Sequence, residues 1–186
     1  MIANGKYLLS KAPIVDMLTT KERFSGTSHG LAEAGYDLRI DQDISFYPRT
    51  FWGGPRVDVT RYDNKYEHPN KESFKGRFCL ANAMEEFQMP KDLVGVVHDK
   101  STWARKSLSV FNTVIEPGWC GFLTLELVFH GDQEVHIKRG QGIAQVLFSL
   151  LVEEGNYEDG KYQFQERRPI AAIEEHSPVD EGVRIN

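Results

Sequence analysis

Cysteine is nearly absent from this sequence, with Cys79 and Cys120 the only two. Two cysteines make no disulfide framework. Their apolar neighbours, in Arg77-Phe78-Cys79-Leu80-Ala81 and Gly118-Trp119-Cys120-Gly121-Phe122, read as surroundings of buried, reduced thiols. An excess of basic charge is also missing. The formal net charge of −5 argues against a protein that coats nucleic acid, which rests on a basic face that displaces counterions. That balance leaves room for a local basic pocket that takes a small polyanion. Long hydrophobic runs are lacking too, since no stretch approaches the ~20 apolar residues of a membrane span. The opening MIANGKYLLSKAPIVDML has neither the apolar centre nor the small-residue cleavage site of a signal peptide. These absences set the expectation of a cytoplasmic protein with no membrane and no nucleic-acid partner. No internal repeat or low-complexity tract interrupts it.

With 186 residues, 40% of them hydrophobic, the chain is long enough for one compact domain plus a tail. Leu8, Leu9, Ile14, Val15 and Leu18 predict a short helix between Lys6 and Thr20, with Pro13 in a first turn. From Gly35 onward the pattern becomes short apolar or alternating runs: Tyr36 to Ile40, Ile44 to Tyr47, Arg77 to Ala81, Leu93 to Val97, Phe122 to Phe129, and Ile143 to Leu151. These read as strands. Between them lies turn chemistry at Trp52-Gly53-Gly54-Pro55, Glu116-Pro117-Gly118, His130-Gly131-Asp132 and Arg139-Gly140-Gln141-Gly142. The fold class expected is mainly β, a distorted barrel or jelly roll with a few short helices. Ser45 to Phe74, charged and aromatic with few aliphatics, reads as excursions from that barrel. The domain expected spans 1–152, and 153–186 reads as a polar C-terminal tail. A solvated terminus is the plain reading of EEGNYEDGKYQFQERRP; Lys161, Tyr162, Gln165, Arg167 and Arg168 cluster there more densely than that reading needs.

Three segments carry candidate chemistry. Glu126 sits within Phe122-Leu123-Thr124-Leu125-Glu126-Leu127-Val128-Phe129, a run otherwise fit for a buried strand. Either it points outward from a half-exposed strand, or desolvation raises its pKa and makes it a proton shuttle near neutral pH. In Asp99-Lys100-Ser101-Thr102-Trp103-Ala104-Arg105, Ser101 is a candidate helix N-cap, with Arg105 one turn later on the same face. That string is an ordinary capped turn, or an anion site to which Lys100 adds charge. In Asn112-Thr113-Val114-Ile115-Glu116-Pro117-Gly118-Trp119, proline then glycine fits a type II turn with Glu116 at its first corner. There Glu116 is a solvated turn residue or an acceptor for a sugar hydroxyl.

Taken in order, these segments resemble the dCTP deaminases of the trimeric dUTPase-like superfamily. Ala34-Gly35-Tyr36-Asp37-Leu38-Arg39 resembles the family's opening G-Y-D motif, and Lys100 to Arg105 its phosphate and catalytic loop. Ile115 to Glu126 is similar to its pyrimidine and ribose segment, which ends in the catalytic glutamate. Gly142-Ile143-Ala144-Gln145 resembles the glutamine-bearing strand that follows, and Gly160-Lys161-Tyr162-Gln163-Phe164-Gln165 the C-terminal G-K-Y-x-x-Q motif. In dUTPases the position matching Glu126 is usually apolar, since those enzymes attack a phosphate and leave the base intact.

The resemblance implies a dUTPase-like fold, a homotrimer with sites between subunits, dCTP as substrate and dUTP as product. Glu126 then takes a proton from water, hydroxide attacks C4 of cytosine, and the carboxyl group returns the proton to departing ammonia. Ser101 positions the water and Arg105 meets the charged intermediate. Substrate contacts are implied for Lys100, Thr102 and Ala104 on the phosphate loop, and for Asn112, Thr113, Glu116 and Thr124 around the base and sugar. Gln145, Tyr157, Lys161 and Gln165 are implied for the triphosphate and its cover. Magnesium is implied as an ion carried by the triphosphate, with no protein metal site and no zinc, since the H-x-E and P-C-x-x-C signature of zinc deaminases is missing. Readings that compete with this one are a dUTPase, a bifunctional enzyme that releases dUMP, and a catalytically silent nucleotide sensor. The stretch from Arg105 to Ile115 is shorter than in the best-known deaminases, and Glu116 stands where many relatives carry aspartate.

Overall fold

Alternating side chains and glycine-rich turns lead the chain, in the computed structural model, into short strands that cover one core. The structure describes residues 1–51, 53–62 and 69–174. The order begins β1 (Ile2–Ala3), α1 (Gly5–Lys11), β2 (Lys21–Phe24), β3 (Thr27–Leu31), β4 (Tyr36–Arg39) and β5 (Gln42–Tyr47). It continues with β6 (Arg56–Arg61), β7 (Asn70–Lys75), β8 (Phe78–Gln88), β9 (Leu93–Asp99), α2 (Ser101–Ala104) and β10 (Leu108–Val110). It ends with β11 (Val114–Ile115), β12 (Cys120–Phe129), β13 (Val135–Ile137) and β14 (Gly142–Leu150).

Among the described residues the strands form three sheets. The largest runs β11-β9-β14-β4-β3-β2 with β1 added to β14, the second β10-β12-β8, and the third β13-β5-β6-β7. Single bridges, Ile14 to Phe87 and Ile40 to Ala83, stitch between them. The sheets share one hydrophobic cluster, in which Leu38, Val57, Leu93, Leu125, Phe129 and Phe148 are buried. The fold is mainly β, as expected, with the sheets held together by packing rather than by one continuous ring of hydrogen bonds.

Each of the six expected strands is present, and several differences have local causes. The helix is shorter than expected: Ala12 turns left-handed at φ 45° and Pro13 follows, so α1 stops at Lys11. The described residues within Ser45 to Phe74 are no excursion. β6 and β7 extend the sheet begun by β5, and Val57 and Val59 are buried in the core although charged residues surround them in sequence. Of the turn expected at Trp52-Gly53-Gly54-Pro55, Trp52 lies outside the described residues, and Thr50 bridges to Gly53. Both cysteines are free; Cys79 is buried, and burial pushes its thiol up to about 12, whereas Cys120 is only partly covered. Of the tail, residues 175–186 lie outside the described residues. Among the described residues no helix is long and apolar enough to cross a membrane.

Candidate active site

β12 alternates. Leu125 and Leu127 point into the core, so Thr124 and Glu126 share the opposite face, and Leu123, at the register shift between Phe122 and Thr124, lines the cavity with them. On that face Glu126 stands opposite Leu80 of β8, and Val128 opposite Phe78. The two readings of Glu126 therefore meet: it points away from the core, but into a walled space. The cavity measures about 410 Å³ and is lined by Thr124 and Glu126 together with Phe78 and Leu80, by Thr113 and Glu116, by Trp119, and by Tyr157, Tyr162 and Gln165. Burial pushes the Glu126 carboxyl above the usual glutamate range, opposed only by its own backbone N–H.

The tail supplies the outer wall. Phe122 N–H donates to the Gln165 carbonyl at 3.0 Å and Phe164 N–H to the Cys120 carbonyl at 2.9 Å, so the tail adds a short parallel bridge to the start of β12. Trp119 Nε1 donates to the Tyr162 carbonyl at 2.7 Å, and Cys120 N–H to Gln163 Oε1 at 2.7 Å. Gly121 makes this approach possible: at φ 132°, a Cβ there would stand 2.6 Å from the Gln165 nitrogen. Gly160 is held for a similar reason, its missing Cβ leaving room for the Tyr157 ring. Residues 157–173 are thus tied back onto β12 by backbone hydrogen bonds, with many of their side chains still exposed.

The Glu116 turn is as expected. Trp119 N–H donates to the Glu116 carbonyl at 3.1 Å and Gly118 has φ 80°, the type II signature.

The second group of implied residues lies elsewhere on the same chain. Lys100, and not Ser101, occupies the N-cap of α2, with no side-chain cap bond. Arg105 N–H donates to the Ser101 carbonyl at 3.1 Å, which confirms that they are one turn apart. Ser101, Ala104 and Arg105 are exposed and Thr102 partly so; Arg105 borders a separate cavity beside Lys106, Ser107 and Asp132. The Lys100 ammonium is paired with the buried Asp37 carboxylate, which also accepts from Ser28 Oγ at 3.0 Å. Gln145 Nε2 donates to the Ala34 carbonyl at 3.0 Å, Lys161 Nζ to the Ile173 carbonyl at 3.2 Å, and Asn112 is exposed. None of these eight residues lines the Glu126 cavity.

Sequence reasoning missed Ile170 and Ala172, which also line that cavity, because nothing in their spacing tied them to β12. Trp119 and Tyr162 stood inside quoted motifs, and an aromatic next to a glycine turn was the available signal. Among the described residues no group of three or more His, Cys, Asp or Glu side chains is placed to hold a metal ion. The cavity offers the carboxylates of Glu116 and Glu126, a donor set that fits magnesium only as an ion already held by phosphate oxygens.

The class follows from fold and sequence together. A solved 2'-deoxycytidine 5'-triphosphate deaminase from Agrobacterium tumefaciens has a similar fold, with a TM-score of 0.50 at 17% identity over 81% of this chain and 48% of that one. Residues 8–151 match the dCTP deaminase-like family, and the chain belongs to it. The dCTP deaminase of Campylobacter hominis is 35% identical over 153 residues, 77% of each chain. That of Campylobacter fetus subsp. fetus is 37% identical over 151 residues, 75% of this chain and 78% of the other.

Proposed function

We propose that this chain is a cytoplasmic dCTP deaminase that hydrolyses dCTP to dUTP and ammonia. The observation that carries the reading is Glu126: a partly desolvated carboxyl with a raised pKa, in a cavity of about 410 Å³ that also holds Glu116, Thr124 and Gln165. A carboxyl raised toward neutrality can accept a proton and give it back within one turnover. Glu126 takes a proton from water, hydroxide adds to C4 of cytosine, and the C4–N bond breaks as the proton passes to the amino group, which leaves as ammonia. Atoms balance as water in and ammonia out. Glu116 and Thr113 border the space for sugar and base, while Tyr157 and Gln165 cover it.

Ser101 and Arg105 come to this site from a second copy of the chain in our reading, within a homotrimer. Two features support that: both residues are exposed outside the Glu126 cavity of their own chain, and Phe78, Phe111 and Val114 leave apolar surface exposed near the cavity. Thr102, Ala104 and Gln145 belong to the same contributed face, with Asn112 at the junction. Lys100 reaches a phosphate only by sharing its charge with Asp37. The nucleotide-binding body is residues 1–152, and the tail from 153, with Lys161, closes over the triphosphate. Magnesium, where bound, would be held by the nucleotide's phosphate oxygens and would neutralise part of their charge.

The test is to incubate the protein with dCTP and magnesium and to resolve nucleotides and ammonia by chromatography. Appearance of dUTP with one ammonia per dCTP consumed supports the reading. Binding without turnover overturns it in favour of a nucleotide sensor, and hydrolysis of dUTP with dCTP left intact makes the chain a dUTPase.

A further inference from the structure

The tail does not lie flat along β12. It meets Thr124 at Gln165, swings away at Arg167, and returns to Thr124 at Ile170. At the outer end of that swing, Arg167 Nε and Nη2 donate to the two oxygens of Asp41 at 2.8 and 3.0 Å, a bidentate fork. Asp41 is buried, and the same carboxylate accepts from Arg139 Nε at 2.9 Å and, more distantly, from Asn82 Nδ2 at 3.5 Å. The Asp41 backbone N–H donates to the Asn82 carbonyl at 3.0 Å. Asp41 is therefore also held by Arg139 and Asn82, contacts that do not involve the tail. The Arg167 guanidinium also lies 5.8 Å from the centre of the Phe122 ring.

Ile170 and Ala172, just past this fork, wall the Glu126 cavity. We infer that Asp41 and Arg167 form a latch that sets the tail against the cavity, which makes Arg167 a positioning residue for nucleotide capture. The inference rests on the proposed deaminase reading and extends it to residues beyond the G-K-Y-x-x-Q segment. The chemistry suits a latch that opens each turnover. Asp41 is 6% exposed and keeps the Arg139 guanidinium on Oδ1 and the more distant Asn82 amide on Oδ2 when the tail leaves, whereas Arg167 is 42% exposed and passes readily to water. Ile170 N–H and Gln165 Oε1 both use the single Thr124 hydroxyl, so losing the fork loosens both walls at once.

Two measurements on Arg167→Ala and Arg167→Lys in the full-length chain test this. Hydrogen exchange without nucleotide reports the latch itself. In Arg167→Ala the Phe122 and Ile170 amides exchange faster, while β9 and β14 amides keep their protection; Arg167→Lys, which cannot fork, falls between. Steady-state kinetics report its use: KM for dCTP rises about fivefold or more in Arg167→Ala, a larger change than the fall in kcat. Unchanged exchange overturns the latch, and faster exchange with unchanged KM overturns its role in capture. If the parent protein turns over no dCTP, the deaminase reading fails, and with it the role in capture, while the exchange comparison still decides whether the latch exists.

Discussion

Thr124 and Gln165 are joined across the wall of the Glu126 cavity, the hydroxyl donating to the amide oxygen at 3.1 Å while accepting the Ile170 N–H at 3.0 Å. Thr124→Val keeps the shape and removes both bonds. We expect kcat/KM for dCTP to fall about tenfold as the tail loosens, with a melting temperature within a few degrees of the parent, since a net hydrogen bond is worth about 1 kcal/mol. Steady-state kinetics and thermal melts on the same preparation check this; unchanged kinetics would detach the tail from the site.

Glu126→Gln keeps size and polarity but loses the proton shuttle. Deamination should drop by roughly 10²–10⁴-fold while nucleotide binding, measured by calorimetry, survives. Near-normal turnover would remove the central claim.

The pH dependence follows from the direction of the Glu126 shift. General-base action needs the ionised form, so kcat/KM should fall as pH drops, with its acid limb above 4.5, the ordinary glutamate value. Stability has the opposite sign. A carboxyl raised by folding takes up a proton between its unfolded and folded pKa values, so its contribution worsens as pH rises through that window. Glu126→Gln escapes this, and its melting temperature at pH 8 should equal or exceed the parent's. An acid limb at or below 4.5 would contradict the desolvation account.

If each site joins Glu126 of one copy to Ser101 and Arg105 of another, two inactive variants can repair each other. Trimers reassembled from equal parts Glu126→Gln and Arg105→Ala should recover up to about one quarter of parental activity by random mixing. No recovery from verified mixed trimers would place the whole site within one chain.

We expect the product to be dUTP. Making dUMP needs a second water aligned on the α-phosphate, and the candidate to hold it is Glu116, one methylene longer than aspartate on a short loop; misplacement on the order of 1 Å is enough to lose such a reaction. Chromatography of early time points decides it, and pyrophosphate released at the rate of ammonia would make the enzyme bifunctional.

Much of the β architecture was legible because its signals are local. Short apolar or alternating runs marked β5, β9 and β12, and Pro117-Gly118 marked the type II turn that places Glu116 on the cavity. β6 was passed over although Val57 and Val59 alternate with Arg56, Asp58 and Thr60, a period-two signal outweighed by the charge of the wider segment, whereas β7, exposed along most of its length, carries no such signal. The pairing of Lys100 with Asp37 was not legible, since the two lie 63 residues apart in sequence.

Local segments carry the available chemistry: a glutamate in an apolar strand, a turn with a second carboxylate, and a polar terminal segment with glutamine, lysine and arginine. Each is a property of neighbours in the chain, readable from apolar runs and turn residues. That the tail folds back, so that Gln165 reaches Thr124 and Arg167 reaches Asp41, 126 residues away, emerges from the folded chain alone. Gly121 admits that approach by having no Cβ. The physical reason is that burial and ion pairing are fixed by which surfaces the sheets bring together. Burial within the folded chain raises the Glu126 pKa, an effect set by distance in space.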